Sequence, residues 1–118
     1  MIYGIGVDMA RISRVEKACS GRGFLERYYS AEEIELFSTS PAKLAANFAA
    51  KEAFGKALGT GVRGFSLKEV SLLRDEMGKP YYTFAGRAEE IVKSRGLRCH
   101  VSVTDEGDDV VVFTVLEA

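Results

Sequence analysis

The sequence predicts an α+β fold: a mostly antiparallel sheet packed against one long central helix. Three observations carry that reading. Residues 2–8, IYGIGVD, alternate in the manner of a half-buried strand. Residues 41–58 are rich in Ala, Leu, Phe and Lys and form the longest helical segment. The remaining order is two strands, a helix and two more strands, which segregates as α+β.

Element by element, period-two alternation puts Tyr3, Ile5 and Val7 on one face of the first strand. Ile2, Gly4, Gly6 and Asp8 share the other, so Asp8 ends a face stripped of side chains, open to close approach by another backbone or a ligand. Ser13-Arg14-Val15-Glu16 fits a capping box and predicts a helix from Ser13 to Cys19, broken by Gly21 and Gly23. Phe24 to Tyr29 form a further turn. Ser30-Ala31-Glu32-Glu33 is a second capping box, opening a short helix through Phe37. Ser40 and Pro41 are an N-cap and first-turn pair for the long helix, and Gly59 is its stop. Strands follow at 67–74 and 80–85, joined through Asp75-Glu76-Met77-Gly78. A helix at 86–95 stops at Gly96. A last hairpin pairs 97–104 with 110–117 across Glu106-Gly107-Asp108-Asp109.

Size and charge narrow the function classes. The chain has 118 residues, 47% apolar and 28% charged, the composition of one globular domain spanning 1–118. Lys plus Arg is 16 against 17 Asp plus Glu, without the basic excess of a nucleic-acid binder. No run reaches membrane-spanning length and no signal peptide is visible. Cys19 and Cys99 lack metal-type spacing and read as reduced thiols in a cytoplasmic protein. A domain this small builds a long enclosed cleft most readily by oligomerising.

Phe48, Glu52 and Lys56 recur every four residues and share one face of the long helix. Lys56 lies in its last turn, just before Gly59-Thr60-Gly61. Taken alone, Glu52 and Lys56 read first as a surface pair contributing about 0.3–0.5 kcal/mol. The glycines alone read as a C-cap. Asp8 and Glu52, from separate elements, are also the minimum protein contribution to a magnesium site, because magnesium prefers oxygen ligands and is commonly completed by waters and substrate phosphates. Lys56 would neutralise phosphate charge beside them.

Other chemistries lack support. GIGVD has neither the third glycine nor the helix start of a dinucleotide fingerprint, and there is no complete Walker loop. His100, the single histidine, reads as a satisfied structural residue, and no nucleophile elbow accompanies it. The acidic run at 105–109 lacks the length and terminal Glu of an EF-hand and reads as a solvated hairpin turn.

GIGVD at 4–8 and FAAKEAFGKALGTG at 48–61 resemble the two motifs of the bacterial holo-acyl-carrier-protein synthases, in the 4'-phosphopantetheinyl transferase superfamily. Phe24–Arg27, the Ser30–Phe37 helix, Gly78-Lys79-Pro80 and His100–Val103 match the rest of the family pattern. The resemblance implies the 4'-phosphopantetheinyl transferase-like fold and a homotrimer with active sites at subunit interfaces. It implies transfer of 4'-phosphopantetheine from coenzyme A to a serine of apo acyl carrier protein, in fatty acid biosynthesis. It assigns Asp8 and Glu52 to Mg2+, Lys56 to the coenzyme A pyrophosphate, and Gly59, Thr60 and Gly61 to the nucleotide. The serine proton would go to Glu52 or to a metal-held water. Arg14, with Arg11, Arg22 and Arg27, would dock the acidic carrier, a solvated helix face being the alternative for each. Two positions depart from the pattern: Asn47 stands where the family has arginine, and Asp105 where it has histidine. By resemblance both lie near the 3'-phosphate, which implies weaker coenzyme A binding or compensation by Arg63 or Lys43. The competing reading is a binding module for coenzyme A or carrier protein that has lost turnover.

Overall fold

The computed structural model describes all residues, 1–118. Strand β1 (Ile2–Arg11) leads into α1 (Ile12–Cys19), α2 (Phe24–Tyr28), α3 (Ala31–Phe37) and the central α4 (Pro41–Leu58). A 3₁₀ turn (Leu67–Glu69) precedes β2 (Val70–Arg74) and β3 (Pro80–Phe84). Helix α5 (Gly86–Ser94) and the hairpin β4 (Arg98–Glu106) and β5 (Asp109–Glu117) complete the chain. All pairing is antiparallel, but in two sheets: three strands in the order β1-β5-β4, and the two-stranded β2-β3. No helix is long and apolar enough to cross a membrane.

The large sheet lays one face on α4. Val110, Val112, Thr114 and Leu116 of β5 are buried there, and on β1 the inward positions are Gly4 and Gly6. What approaches the cleared face of β1 is backbone: a Cβ on Gly6 would land on the carbonyl oxygen of Ala53 and 2.7 Å from the nitrogen of Ala57. On Gly4 it would meet the carbonyl of Ala57. Small residues on both sides let helix and strand touch main chain to main chain. Gly6→Ala should therefore force them apart and destabilise the protein by about 1–3 kcal/mol, read as a lowered midpoint in urea.

Helix ends differ in how far the local sequence governs them. At α3 the Ser30 box forms as its residues predict: Glu33 N donates to Ser30 Oγ at 3.2 Å and Ser30 N to Glu33 Oε1 at 3.0 Å. Helix α4 starts on Ser40 and Pro41 and ends on Gly59, which adopts φ 86° and donates to Lys56 O. At α1 the Ser13–Glu16 box does not form. The helix begins one residue earlier, at Ile12, and the N–H and hydroxyl of Ser13 both donate to the carboxylate of Asp108. Ile12 N donates to Asp108 O as well. The acidic β4–β5 turn is thus the cap of α1, not merely a solvated loop: Asp108 satisfies the orphan N–H groups of Ile12 and Ser13, and its negative charge suits a helix N-terminus.

The strand expected over 67–74 loses its first three residues to the 3₁₀ turn, where Glu69 turns back to accept from Ser66 N. β1 runs to Arg11, three residues past the expected end, because β5 supplies partners through Asp109. Cys19 and Cys99 are free, and burial pushes the Cys99 thiol up to about 11.

Candidate active site at the end of the central helix

Asp8, Glu52 and Lys56 come together where β1 crosses the C-terminal half of α4. Lys56 Nζ donates to Asp8 Oδ1 and to Val7 O, each at 3.0 Å. The sequence permits an ion pair between Glu52 and Lys56, but the ammonium goes to Asp8 instead. It stays 54% exposed and Asp8 21%, so this pair is open to solvent and contributes little to stability. An open depression of about 450 Å3 adjoins them, lined by Val7, Asp8, Met9, Lys56 and Val111.

Glu52 has no hydrogen-bond partner of its own. Burial raises its carboxyl above the ordinary range, the negative charge of Asp8 raises it further, and Lys56 offsets part of this. Two mutually repelling carboxylates, one of them partly desolvated, fit a hard divalent cation that prefers oxygen. Fewer than three candidate ligands gather at any point in the chain, so such an ion would need waters or a substrate phosphate to complete its shell.

A carboxyl whose folded-state value lies above its unfolded one opposes folding once ionised; the opposition is absent below the unfolded value and grows as pH rises through the folded value. Glu52→Gln, neutral throughout, should raise the melting temperature of the metal-free protein at about pH 7–8, and the gain should shrink toward about pH 4. A pH-independent difference in calorimetry would contradict the environment assigned to Glu52.

Beyond Lys56 the chain turns through Gly59, Thr60 and Gly61. Gly61 N donates to Gly55 O at 3.0 Å, folding the loop back on the helix. A Cβ on Gly55 would come within 2.8 Å of Gly61, so the missing side chain is what permits the fold-back. Phe48, on the same face as Glu52, stacks on Phe24 with centroids 5.9 Å apart and meets Tyr28 edge-on. Arg14, Arg22 and Arg27 are exposed on α1, the turn after it and α2, and none has an ionic partner; Arg11 pairs with Asp109.

The two departures separate. Asp105 is exposed on β4, in an open depression with Thr104, Glu106, Asp109 and Val111 that shares Val111 with the Asp8–Lys56 depression. Asn47 is 0% exposed, so its side chain is out of reach of a surface ligand. Its amide donates to Glu33 Oε2 at 2.7 Å and Leu72 O at 2.9 Å, and its oxygen accepts from Arg74. The reading that Asn47 lines a phosphate site is therefore corrected: its polar atoms are used up in the core. Lys43 sits against the Phe37 ring in the first turn of α4, far from Lys56 along the helix, and Arg63 is exposed in the loop after Gly61. His100 is satisfied but not interior; it is an exposed partner of Glu117 at 3.0 Å.

Residues 4–114 match the model of the 4'-phosphopantetheinyl transferase superfamily. The chain belongs to that superfamily. Within it, a holo-[acyl-carrier-protein] synthase of Clostridium beijerinckii is 39% identical over 122 residues, covering 100% of this chain and 99% of that one. The crystal structure of the synthase from Neisseria meningitidis superposes with a TM-score of 0.90 at 35% identity, covering 100% of both chains. The Helicobacter pylori synthase, solved in complex with coenzyme A, superposes at 0.83 with 28% identity over 96% of this chain and 99% of that one. Superfamily membership thus extends over β1, α4 and the final hairpin together, the elements that build the site.

Sequence inspection missed Glu33 and Lys51 as interior charges. Both are 0% exposed. A charge three residues after a serine, or next to an opposite charge on a helix, reads as surface because single-sequence patterns count polarity and not partners.

Proposed function

We propose that this chain, a single domain of residues 1–118, transfers 4'-phosphopantetheine from coenzyme A to a serine of apo acyl carrier protein. The observation that carries this reading is the convergence of Asp8, Glu52 and Lys56 at one end of α4. It is supported by full-length similarity to synthases, one of them solved with coenzyme A. The serine oxygen attacks the β-phosphorus; the bond from that phosphorus to the bridging oxygen breaks, and adenosine 3',5'-bisphosphate leaves. Asp8 and Glu52 would hold Mg2+, which supplies neutralisation of the pyrophosphate charge. Lys56, already exposed, can turn its ammonium from Asp8 to a phosphate oxygen. Gly59, Thr60 and Gly61 offer a side-chain-poor surface for the nucleotide. The serine proton would go to Glu52 or to a metal-held water. Arg14, Arg22 and Arg27 form the cationic surface for an acidic carrier. Unpaired cysteines agree with a cytoplasmic setting, where fatty acid biosynthesis would use the product.

The same reading includes a homotrimer. The outward face of the large sheet carries Tyr3, Ile5, Val7 and Met9 on β1, with Phe113 exposed beside Val7 on β5. A free antiparallel sheet normally turns polar residues to water. On β1 and the middle of β5 this one is apolar outward as well, as an interface would be, while β4 turns Arg98, His100, Ser102 and Thr104 to water. Phe113→Asp should convert a trimer to monomers in analytical ultracentrifugation; a wild-type monomer would refute the assembly.

Mass spectrometry of apo acyl carrier protein incubated with this protein, coenzyme A and Mg2+ tests the activity. The carrier should gain one phosphopantetheine. Binding of coenzyme A without any gain would favour the module that has lost turnover.

A further inference from the structure

Beneath the site lies a second cluster that no step of the proposed reaction uses. Lys51 Nζ meets Glu33 Oε1 at 2.6 Å, with both side chains 0% exposed. It also donates to Leu67 O at 3.2 Å and to Val70 O. The other oxygen of Glu33 accepts from Asn47 Nδ2 and from Leu72 N. One interior carboxylate on α3 thus ties together α4, the start of β2 and its own helix cap. No buried side-chain polar atom in the protein lacks a partner.

Stability is a poor reason for such a pair, since desolvating two charges offsets most of their attraction and apolar replacements are often neutral or better. Register is a better reason, and α4 needs one. Between Leu44 and Phe54, the stretch that carries Glu52, its buried apolar residues are all alanine: Ala45, Ala46, Ala49, Ala50 and Ala53. Side chains this small form shallow ridges, so over that stretch apolar interdigitation fixes rotation about the helix axis less firmly than larger side chains would. The polar contacts are directional, and they fall on the stripe Asn47–Lys51. The stripe Phe48–Glu52–Lys56 is one residue on, about 100° around the axis. With side chains reaching about 6 Å from the axis, a rotation of roughly 20° would carry the Glu52 carboxylate about 2 Å. Misplacement on that scale is catalytically severe.

We infer that the Glu33–Lys51–Asn47 network is a rotational lock on α4, a set of positioning residues that holds Glu52 facing Asp8. This rests on the proposed reading of Asp8 and Glu52 as cation ligands. The lock acts through the stripe that carries Glu52 and Lys56 and touches neither substrate nor cation.

The test is binding of Mn2+ in the presence of coenzyme A, followed by electron paramagnetic resonance, which needs no turnover. The variants are Glu33→Gln with Lys51→Met, which removes both charges together and leaves an amide for Asn47 and Leu72, and the milder Asn47→Ala. The folded double variant should bind Mn2+ about 10–100-fold more weakly, the scale on which disturbing the groups that orient a metal ligand typically acts. Asn47→Ala should weaken it by a smaller factor, at least about three-fold, on the same scale. Wild-type Mn2+ affinity in a folded double variant would overturn the lock. If the double variant does not fold, unchanged affinity in Asn47→Ala overturns it alone. Glu52→Ala in the same titration keeps the two readings apart: wild-type affinity there defeats Glu52 as a ligand, whereas lost affinity there with unchanged affinity in the network variants defeats only the lock.

Discussion

Glu52→Ala should lower phosphopantetheine transfer by about 10²–10³-fold, the scale seen when one group that stabilises transition-state charge is removed. The loss should fall on kcat and on the proposed Mg2+ dependence, with a smaller change in KM for carrier protein, because Arg14, Arg22 and Arg27 lie on α1, α2 and the turn between them. The fold should survive. The Glu52 carboxylate makes no hydrogen bond, and burial and Asp8 both disfavour its ionised form, so its removal relieves a strained electrostatic arrangement. A variant that is stable and inactive is the signature of a carboxylate kept for chemistry. Steady-state kinetics beside a thermal melt would read both effects; an active Glu52→Ala would refute the role assigned here.

Lys51→Met should be the more damaging change to the fold. It leaves the Glu33 carboxylate buried with three neutral N–H donors, from Ser30, Asn47 and Leu72, and no cation except the more distant Arg74. Breaking a buried pair from one side typically destabilises by about 3–5 kcal/mol. That is a large fraction of the roughly 5–15 kcal/mol that holds a domain together. Adding Glu33→Gln should restore much of the loss, since no uncompensated charge then remains. Urea melts of the two single variants and the double variant make a cycle. Additive losses would mean that the two residues act separately.

The contrast between Glu52 and Lys51 shows where sequence reasoning reaches. They are neighbours in the chain and equally polar. One faces the solvent side of α4 and the other the core, and only the placement of α3 and β2 decides which. The motif around Glu52 was legible because a carboxylate, an ammonium four residues on and a glycine stop form a local pattern on one helix. Asp8 was legible because Gly4 and Gly6 empty its strand face. That the two meet is a long-range contact, and so is the choice of Lys56 to pair with Asp8 over Glu52.

Residue periodicity and local caps were enough to determine the α+β order, the extent of α4, the Ser30 cap and the closing hairpin, because each depends on interactions a few residues apart. Tertiary structure alone decided that Asp108 caps α1, that Asn47 is sealed in the core, that the strands divide into two sheets, and that Glu33 and Lys51 are buried together. Each of these joins groups far apart in the chain, where a polar side chain takes its role from the partner that folding brings to it.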